Sequence, residues 1–235
     1  MVTLSSFPAG FRAVVVGASG GIGAAVLALL HEAPGCAEAI GLSRSSSPDL
    51  DLEREDTIAE AARQIAAGGP VHLIFDATGV LHSPALKPEK ALSAFDPAAA
   101  AKAFAVNATG PLLVLKHFHT LMARNERSVF ASISARVGSI SDNQLGGWYS
   151  YRASKAALNM LLKTAAIEIA RKRPEALCLA LHPGTVDTRL SKPFASGRDL
   201  FTPQESAAKL LAVIDNAEPG RSGRFLAYDG QEISW

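Results

Sequence analysis

The feature that most constrains this chain is a glycine turn set directly between an apolar run and a helix. Arg12 to Val16 is a short β-branched strand, and Gly17-Ala18-Ser19-Gly20-Gly21-Ile22-Gly23 leads from it, without a break, into an apolar helix reaching about Ala33. A glycine-rich turn at that junction lets backbone approach a pyrophosphate, whose charge the helix N-terminus stabilises. The spacing is G-x-x-x-G-x-G. Gly17 permits the tight turn, Gly21 the close phosphate approach, and Gly23 the packing of helix on strand. The Ser19 hydroxyl can donate to a phosphate oxygen, and Ile22 opens the helix.

The rest of the chain repeats the alternation. Strands are expected at Ala37–Leu42, Asp49–Leu52, Val71–Phe75, Ser128–Ile133, Leu177–Leu181 and Gly223–Ala227, making about seven with the first. Helices are expected at Thr57–Ala67, Pro97–Arg124, Tyr149–Arg173 and from Thr202-Pro203-Gln204-Glu205, a capping sequence, to Asn216. Strands that are continuously apolar are covered on both faces. The expected fold is therefore α/β, a doubly wound parallel sheet with helices on both faces. No repeat, low-complexity tract or long linker divides it, so residues 1–235 are expected to form one domain.

Charge narrows the function classes. With 23 Lys+Arg against 22 Asp+Glu, the net charge of +1 gives no broad attraction to nucleic acid or acidic membranes. No run is expected to supply the roughly 20 apolar residues of a membrane span, and the N-terminus lacks the basic region of a signal peptide. Cys36 and Cys178 are expected to be core thiols, which fits a reducing, cytoplasmic compartment. His117 and His119 are two apart on a helix and face different ways, so no metal site is expected. His82 and His182 stand beside the ends of motifs.

Tyr151-Arg152-Ala153-Ser154-Lys155 carries the chemistry. Residues i and i+4 share a helix face, so Tyr151 and Lys155 can point into one cleft. A phenol with pKa about 10 is a poor acid–base catalyst near neutrality unless its anion is stabilised, which a neighbouring ammonium does. Tyr149 lies about 200° around the helix from Tyr151 and is not expected to share the role.

With these motifs in this order, the chain resembles the short-chain dehydrogenase/reductase family over essentially its whole length. The resemblance implies a Rossmann-type domain in which Tyr151 exchanges a proton with a substrate oxygen while hydride moves to or from a nicotinamide. Lys155 would also hold the nicotinamide ribose. Asp76-Ala77-Thr78-Gly79 matches the family's Asn-Asn-Ala-Gly only at Gly79, with Ala77 small enough to lie beside the adenosine. Asn107, in Ala105-Val106-Asn107-Ala108-Thr109-Gly110, matches the Asn whose main chain extends a proton relay, and its unfavourable helix-interior sequence predicts a local kink.

The fifth expected strand runs into Ser132-Ile133-Ser134-Ala135-Arg136-Val137-Gly138-Ser139, where the family's carbonyl-polarising serine has become Ala135. Ser134 is the expected substitute, with Ser139 second. Pro183-Gly184-x-Val186-x-Thr188 matches the family's nicotinamide-side motif in full. At the end of the second strand Ser43 and Arg44 stand where an acidic residue would select NAD. Arg44 can hold a 2′-phosphate by charge-assisted hydrogen bonds, so NADP (NADPH) rather than NAD is expected. Asp51 and Leu52 match the family's adenine-edge pair.

A short lid is expected at about 185–202, with Trp148, Leu190 and Phe194 as apolar walls. Gly146-Gly147-Trp148-Tyr149 and Trp235 most resemble the C-factor-like and sniffer-like carbonyl reductases. Together these imply an NADP-dependent enzyme acting on a small carbonyl or alcohol. Pairing into homodimers or homotetramers would use the helices 97–124 and 149–173. A dinucleotide-binding signalling or regulatory protein with little turnover is the alternative, and Ala135 is its main support.

Overall fold

A computed structural model describes residues 2–83, 86–194 and 199–235. The elements in chain order are β1 (Phe11–Val16), α1 (Gly21–His31), β2 (Cys36–Leu42), α2 (Glu55–Ala66), β3 (Leu73–Asp76), α3 (Pro97–Phe104), α4 (Gly110–Phe118), β4 (Ser128–Ile133), α5 (Tyr149–Ala170), β5 (Ala176–His182), α6 (Pro203–Asn216) and β6 (Arg224–Ala227). The six strands form one parallel sheet in the order β2-β1-β3-β4-β5-β6. Strand order reverses between β1 and β3, the position at which a crevice opens beyond the carboxyl ends.

The alternation of side chains builds a core on each face. Val14, Val16, Ile74, Phe130, Cys178 and Phe225 pack with Ile58 of α2, Phe118 of α4, and Leu158 and Leu162 of α5. Val15, Phe75, Val129 and Leu179 pack with Val26 and Leu30 of α1 and with Leu210 and Ile214 of α6. Across the sheet Val16 pairs with Leu42 and Asp76, Asp76 with Ser132, and Ser132 with Ala180. That level row brings the loops after β1, β2, β3, β4 and β5 to one edge.

Two expectations need correction. Asp49–Leu52 is not a strand, so the sheet has six strands and ends at β2. Pro48 lacks a donor, and Asp51 closes local turns: its carboxylate accepts from Glu53 N at 3.1 Å and its carbonyl from Arg54 N at 3.0 Å. The second concerns membrane length. α3 and α4 join through residues Ala105–Thr109 into one 22-residue helix, Pro97–Phe118, long and apolar enough by length and composition to cross a membrane. Here its inner side, including Ala103, Asn107, Ala108, Val114 and Phe118, is buried in the fold. This helix and α5 end before Arg124 and Arg173, the expected limits.

Candidate active site

At the carboxyl edge of the sheet lies a cleft of about 1490 Å³. It is lined by Ser19, Gly21, Ile22, Arg44, Ala77, Gly79, Ser134, Tyr151, Lys155, Pro183, Gly184, Val186 and Thr188, so most of the expected site residues converge. The local backbone explains why glycine is needed at two of these loops. Gly17 has φ +81, and a Cβ on Gly23 would run into the Gly17 carbonyl oxygen, so neither side chain could be longer. α1 begins after Gly20 with no side-chain cap and no acidic residue in its first turn. Its leading N–H groups thus remain for an anion in the cleft. A Cβ on Gly79 would sit 3.4 Å from both Lys155 Nζ and Asn107 Oδ1, so this glycine keeps the floor beside Lys155 clear.

Arg44 is exposed at the cleft rim. Its loop is shaped by serines: Ser46 Oγ accepts from Ser43 N at 2.8 Å and donates to Pro48 O at 2.6 Å. Ser43 lies next to the rim, outside the lining residues. Asp51 and Leu52 also lie outside them, and Leu52 is buried against Gly110 in the core.

On α5, Tyr151 and Lys155 both reach the cleft. Burial pushes the Tyr151 phenol above its usual value. Burial pushes Lys155 down to about 8, and the Asp76 carboxylate opposes that fall. Lys155 Nζ donates to Ile133 O at 2.8 Å. Asp76 is fully buried and accepts from Ser132 Oγ at 2.6 Å, Thr78 Oγ1 at 2.6 Å and Thr78 N at 3.1 Å. Burial raises its proton affinity while these donors hold the charged form.

Asn107 sits in a π-helical turn, Ala105–Thr109, which is the kink expected from sequence. Its side chain is buried: Oδ1 accepts from Val80 N at 2.7 Å, and Nδ2 donates to Val80 O at 2.8 Å and Ser154 Oγ at 3.1 Å. The amide thereby ties the loop after β3 to α5.

The hydroxyls of both candidate serines are engaged inside the protein. Ser134 lines the cleft but is 1% exposed, and its hydroxyl proton is engaged by Asn159 Oδ1 at 2.7 Å. Ser139 is equally buried and donates to Ser234 O at 2.6 Å, and it does not line the cleft. The half-buried Ala135 also lines the cleft. Asn159 was missed from sequence although it continues the Tyr151, Lys155 series at i+8, which is the signal that could have found it.

His182 also lines the cleft. Burial first, then the Arg136 guanidinium, push it down to about 4, so the ring is neutral near pH 7. Arg136 N donates to its Nδ1 at 3.4 Å, leaving the proton on Nε2. Aromatic rings wall the entrance: Trp148 stands edge-on to Tyr151 at 6.2 Å and to Phe194 at 5.1 Å, and His82 to Phe194 at 5.5 Å. The ends of the segment expected as a lid are joined by Asp187 N donating to Phe201 O and Phe201 N to Thr185 O, each at 2.9 Å. Residues 195–198 of the expected lid lie outside the described residues.

Comparison with known proteins bears on the family and the fold. A family model of short-chain dehydrogenases, described as enoyl-(acyl carrier protein) reductase, matches residues 18–233. A 1-hydroxy-2-glutathionyl-2-methyl-3-butene dehydrogenase of Rhodococcus sp. (strain AD45) is 31% identical, the match covering 94% of this chain and 98% of the relative. The C-signal of Myxococcus xanthus is 37% identical over 62% of this chain and 84% of its own. An NADPH-bound carbonyl reductase from chicken fatty liver superposes with a TM-score of 0.83 at 23% identity, covering 95% of this chain and 98% of that one.

Proposed function

This chain belongs to the short-chain dehydrogenase/reductase family, and we propose that it is an NADPH-dependent oxidoreductase interconverting a carbonyl compound and its alcohol. The observation that carries the proposal is the convergence of Tyr151 and Lys155 of α5 with the uncapped N-terminus of α1 and with Arg44 in one cleft. NADPH, when bound, supplies the hydride. The α1 N-terminus and Ser19 would hold its pyrophosphate and Arg44 its 2′-phosphate, while Pro183, Gly184, Val186 and Thr188 would flank the nicotinamide.

The remaining chemistry belongs to the protein. Tyr151 gives its phenolic proton to the substrate oxygen in reduction, and takes it back in oxidation. Lys155 favours the phenolate left behind through its ammonium, which Asp76 supports against burial. Trp148, Phe194 and Leu81 make the wall near Tyr151 apolar, which supports a substrate with an apolar body next to its carbonyl, and excludes water from the proton transfer. Two unpaired thiols, Cys36 and Cys178, support residence in a reducing compartment such as the cytoplasm.

The testing experiment is a panel of aldehydes and ketones with NADPH and with NADH, read by loss of the reduced nicotinamide absorbance. Turnover with NADPH favoured by tenfold or more is the expected result. Ala135 at the position of the carbonyl-polarising serine favours a second reading, a dinucleotide-binding regulatory protein. Tight NADPH binding with no reduction of any carbonyl would establish that reading and overturn the first.

A further inference from the structure

α5 begins in an unusual way. Gly146 (φ 63), Gly147 (φ 65) and Trp148 (φ 52) run consecutively through the left-handed region. Trp148 is the only described non-glycine residue with positive φ, a conformation that costs a bulky side chain energy. Trp148 also provides no side-chain cap for α5, and the first turn contains no acidic residue. A helix that carries Tyr151 in its first turn would, on these features alone, fray where the chemistry needs it fixed.

Glu89 supplies what α5 lacks. It lies in the loop between β3 and α3, some 60 residues earlier in the chain, yet its side chain is 5% exposed. Its carboxylate accepts from Ser150 N at 3.3 Å and 3.2 Å through its two oxygens, and from the Ser150 hydroxyl. Its backbone carbonyl accepts from Trp148 N at 2.5 Å. One residue thus binds α5 at two successive points just before Tyr151. The carboxylate faces the N-terminal end of a 22-residue helix, whose free N–H groups favour such an acceptor, and among the described residues it forms no salt bridge with a Lys or Arg.

We infer that Glu89 is a positioning residue for the catalytic phenol: by holding Trp148 and Ser150 it sets the first turn of α5, and so fixes both Tyr151 and the indole edge packed against it. This deepens the carbonyl reductase reading and rests on it. Proton transfer is sensitive to placement, and a misplacement of about 1 Å can cost a hundredfold in rate. Removing the staple should therefore appear in kcat. NADPH affinity should be spared, because the glycine turn, Arg44 and the Pro183–Thr188 segment lie on other elements.

The test uses the full chain with Glu89→Ala, Glu89→Gln and Ser150→Ala. NADPH Kd is measured by titration, and kcat and KM with the carbonyl compound that the wild type reduces best. Glu89→Ala is expected to lower kcat tenfold or more while NADPH Kd and substrate KM stay within about twofold. Glu89→Gln keeps an acceptor oxygen for Ser150 and should recover kcat to within about threefold of wild type. Ser150→Ala should fall between the two. A folded Glu89→Ala with wild-type kcat overturns the inference, as does a loss of kcat matched by equal loss of NADPH binding. Should Glu89→Ala fail to fold, Ser150→Ala decides, and wild-type kcat there overturns the inference.

Trp148 gives a readout independent of turnover. In a Trp235→Phe background it is the sole tryptophan, and Ser150→Ala is expected to shift its emission. If the wild type reduces no carbonyl, the functional reading fails, and unchanged emission would sink the staple separately.

Discussion

The Ser134 hydroxyl donates to Asn159 Oδ1 at 2.7 Å, a buried bond at the wall of the cleft. Asn159 Nδ2 is buried and has no hydrogen-bond partner among the described residues, so this bond is what satisfies the side chain. Ser134→Ala leaves a buried acceptor unpaired, at a cost of about 1–3 kcal/mol. The expected outcome is a lower Tm with kcat within about threefold of wild type. A stable Ser134→Ala enzyme that loses a hundredfold in kcat would restore Ser134 to the chemistry.

The same geometry makes Ala135 the informative position. It lines the cleft where the family's hydroxyl polarises the carbonyl. A donor that strengthens as negative charge develops acts on kcat more than on KM, and one oxyanion-hole donor contributes about 10²–10³-fold in comparable sites. Ala135→Ser should raise kcat by about tenfold or more without changing NADPH affinity. Steady-state kinetics with one substrate checks this, and an unchanged kcat means that another donor, such as His182 Nε2, already fills the role.

The sequence revealed what repeats along the chain and what lies close along it. Apolar runs marked the six strands, and the G-x-x-x-G-x-G turn and the i, i+4 pair marked the loop and helix that bear Arg44's cleft and Tyr151. The π turn at Asn107 was legible because Asn-Ala-Thr-Gly-Pro resists an ordinary helix. Asp49–Leu52 was misread because apolar spacing cannot register that Pro48 and the Asp51 turns compete with pairing. Ser134's partner and Glu89's place could not be read, since they rest on contacts that span 25 and 61 residues with no periodic signal.

Tyr151→Phe removes the transferable proton and leaves the ring that packs beside Trp148. General acid catalysis contributes about 10²–10⁴-fold, so kcat should fall by that range while NADPH binds as in wild type. Tyr149, 38% exposed on the other side of α5, should tolerate Phe with little change. Retention of more than about a tenth of kcat in Tyr151→Phe removes the phenol from the mechanism.

Arg44→Asp replaces the cation at the rim with a charge that repels a 2′-phosphate. Apparent KM for NADPH should rise tenfold or more, and use of NADH should improve. Titration of wild type with both nucleotides is the simpler check. Equal affinities would mean that Arg44 is solvated and selects nothing.

Asp76 and Lys155 predict the alkaline limb of activity. Burial brings Lys155 to about 8, from an ordinary value of about 10.4. Its ammonium is present below that pH and is lost as pH rises through it, so log kcat/KM should turn downward near pH 8. Stability moves the other way. Between about pH 8 and 10.4 the unfolded chain binds a proton that folded Lys155 has released, so unfolding becomes harder as pH rises through that window. Asp76 accepts hydrogen bonds from Ser132 and Thr78 on both carboxylate oxygens, which holds the charge that opposes the fall of Lys155. Asp76→Asn keeps the shape and removes the charge. The alkaline limb should then move to lower pH, while the NADPH Kd measured at pH 6 changes little. A limb unmoved in Asp76→Asn would show that Asp76 is already neutral in the folded protein and that Lys155 keeps its proton without it.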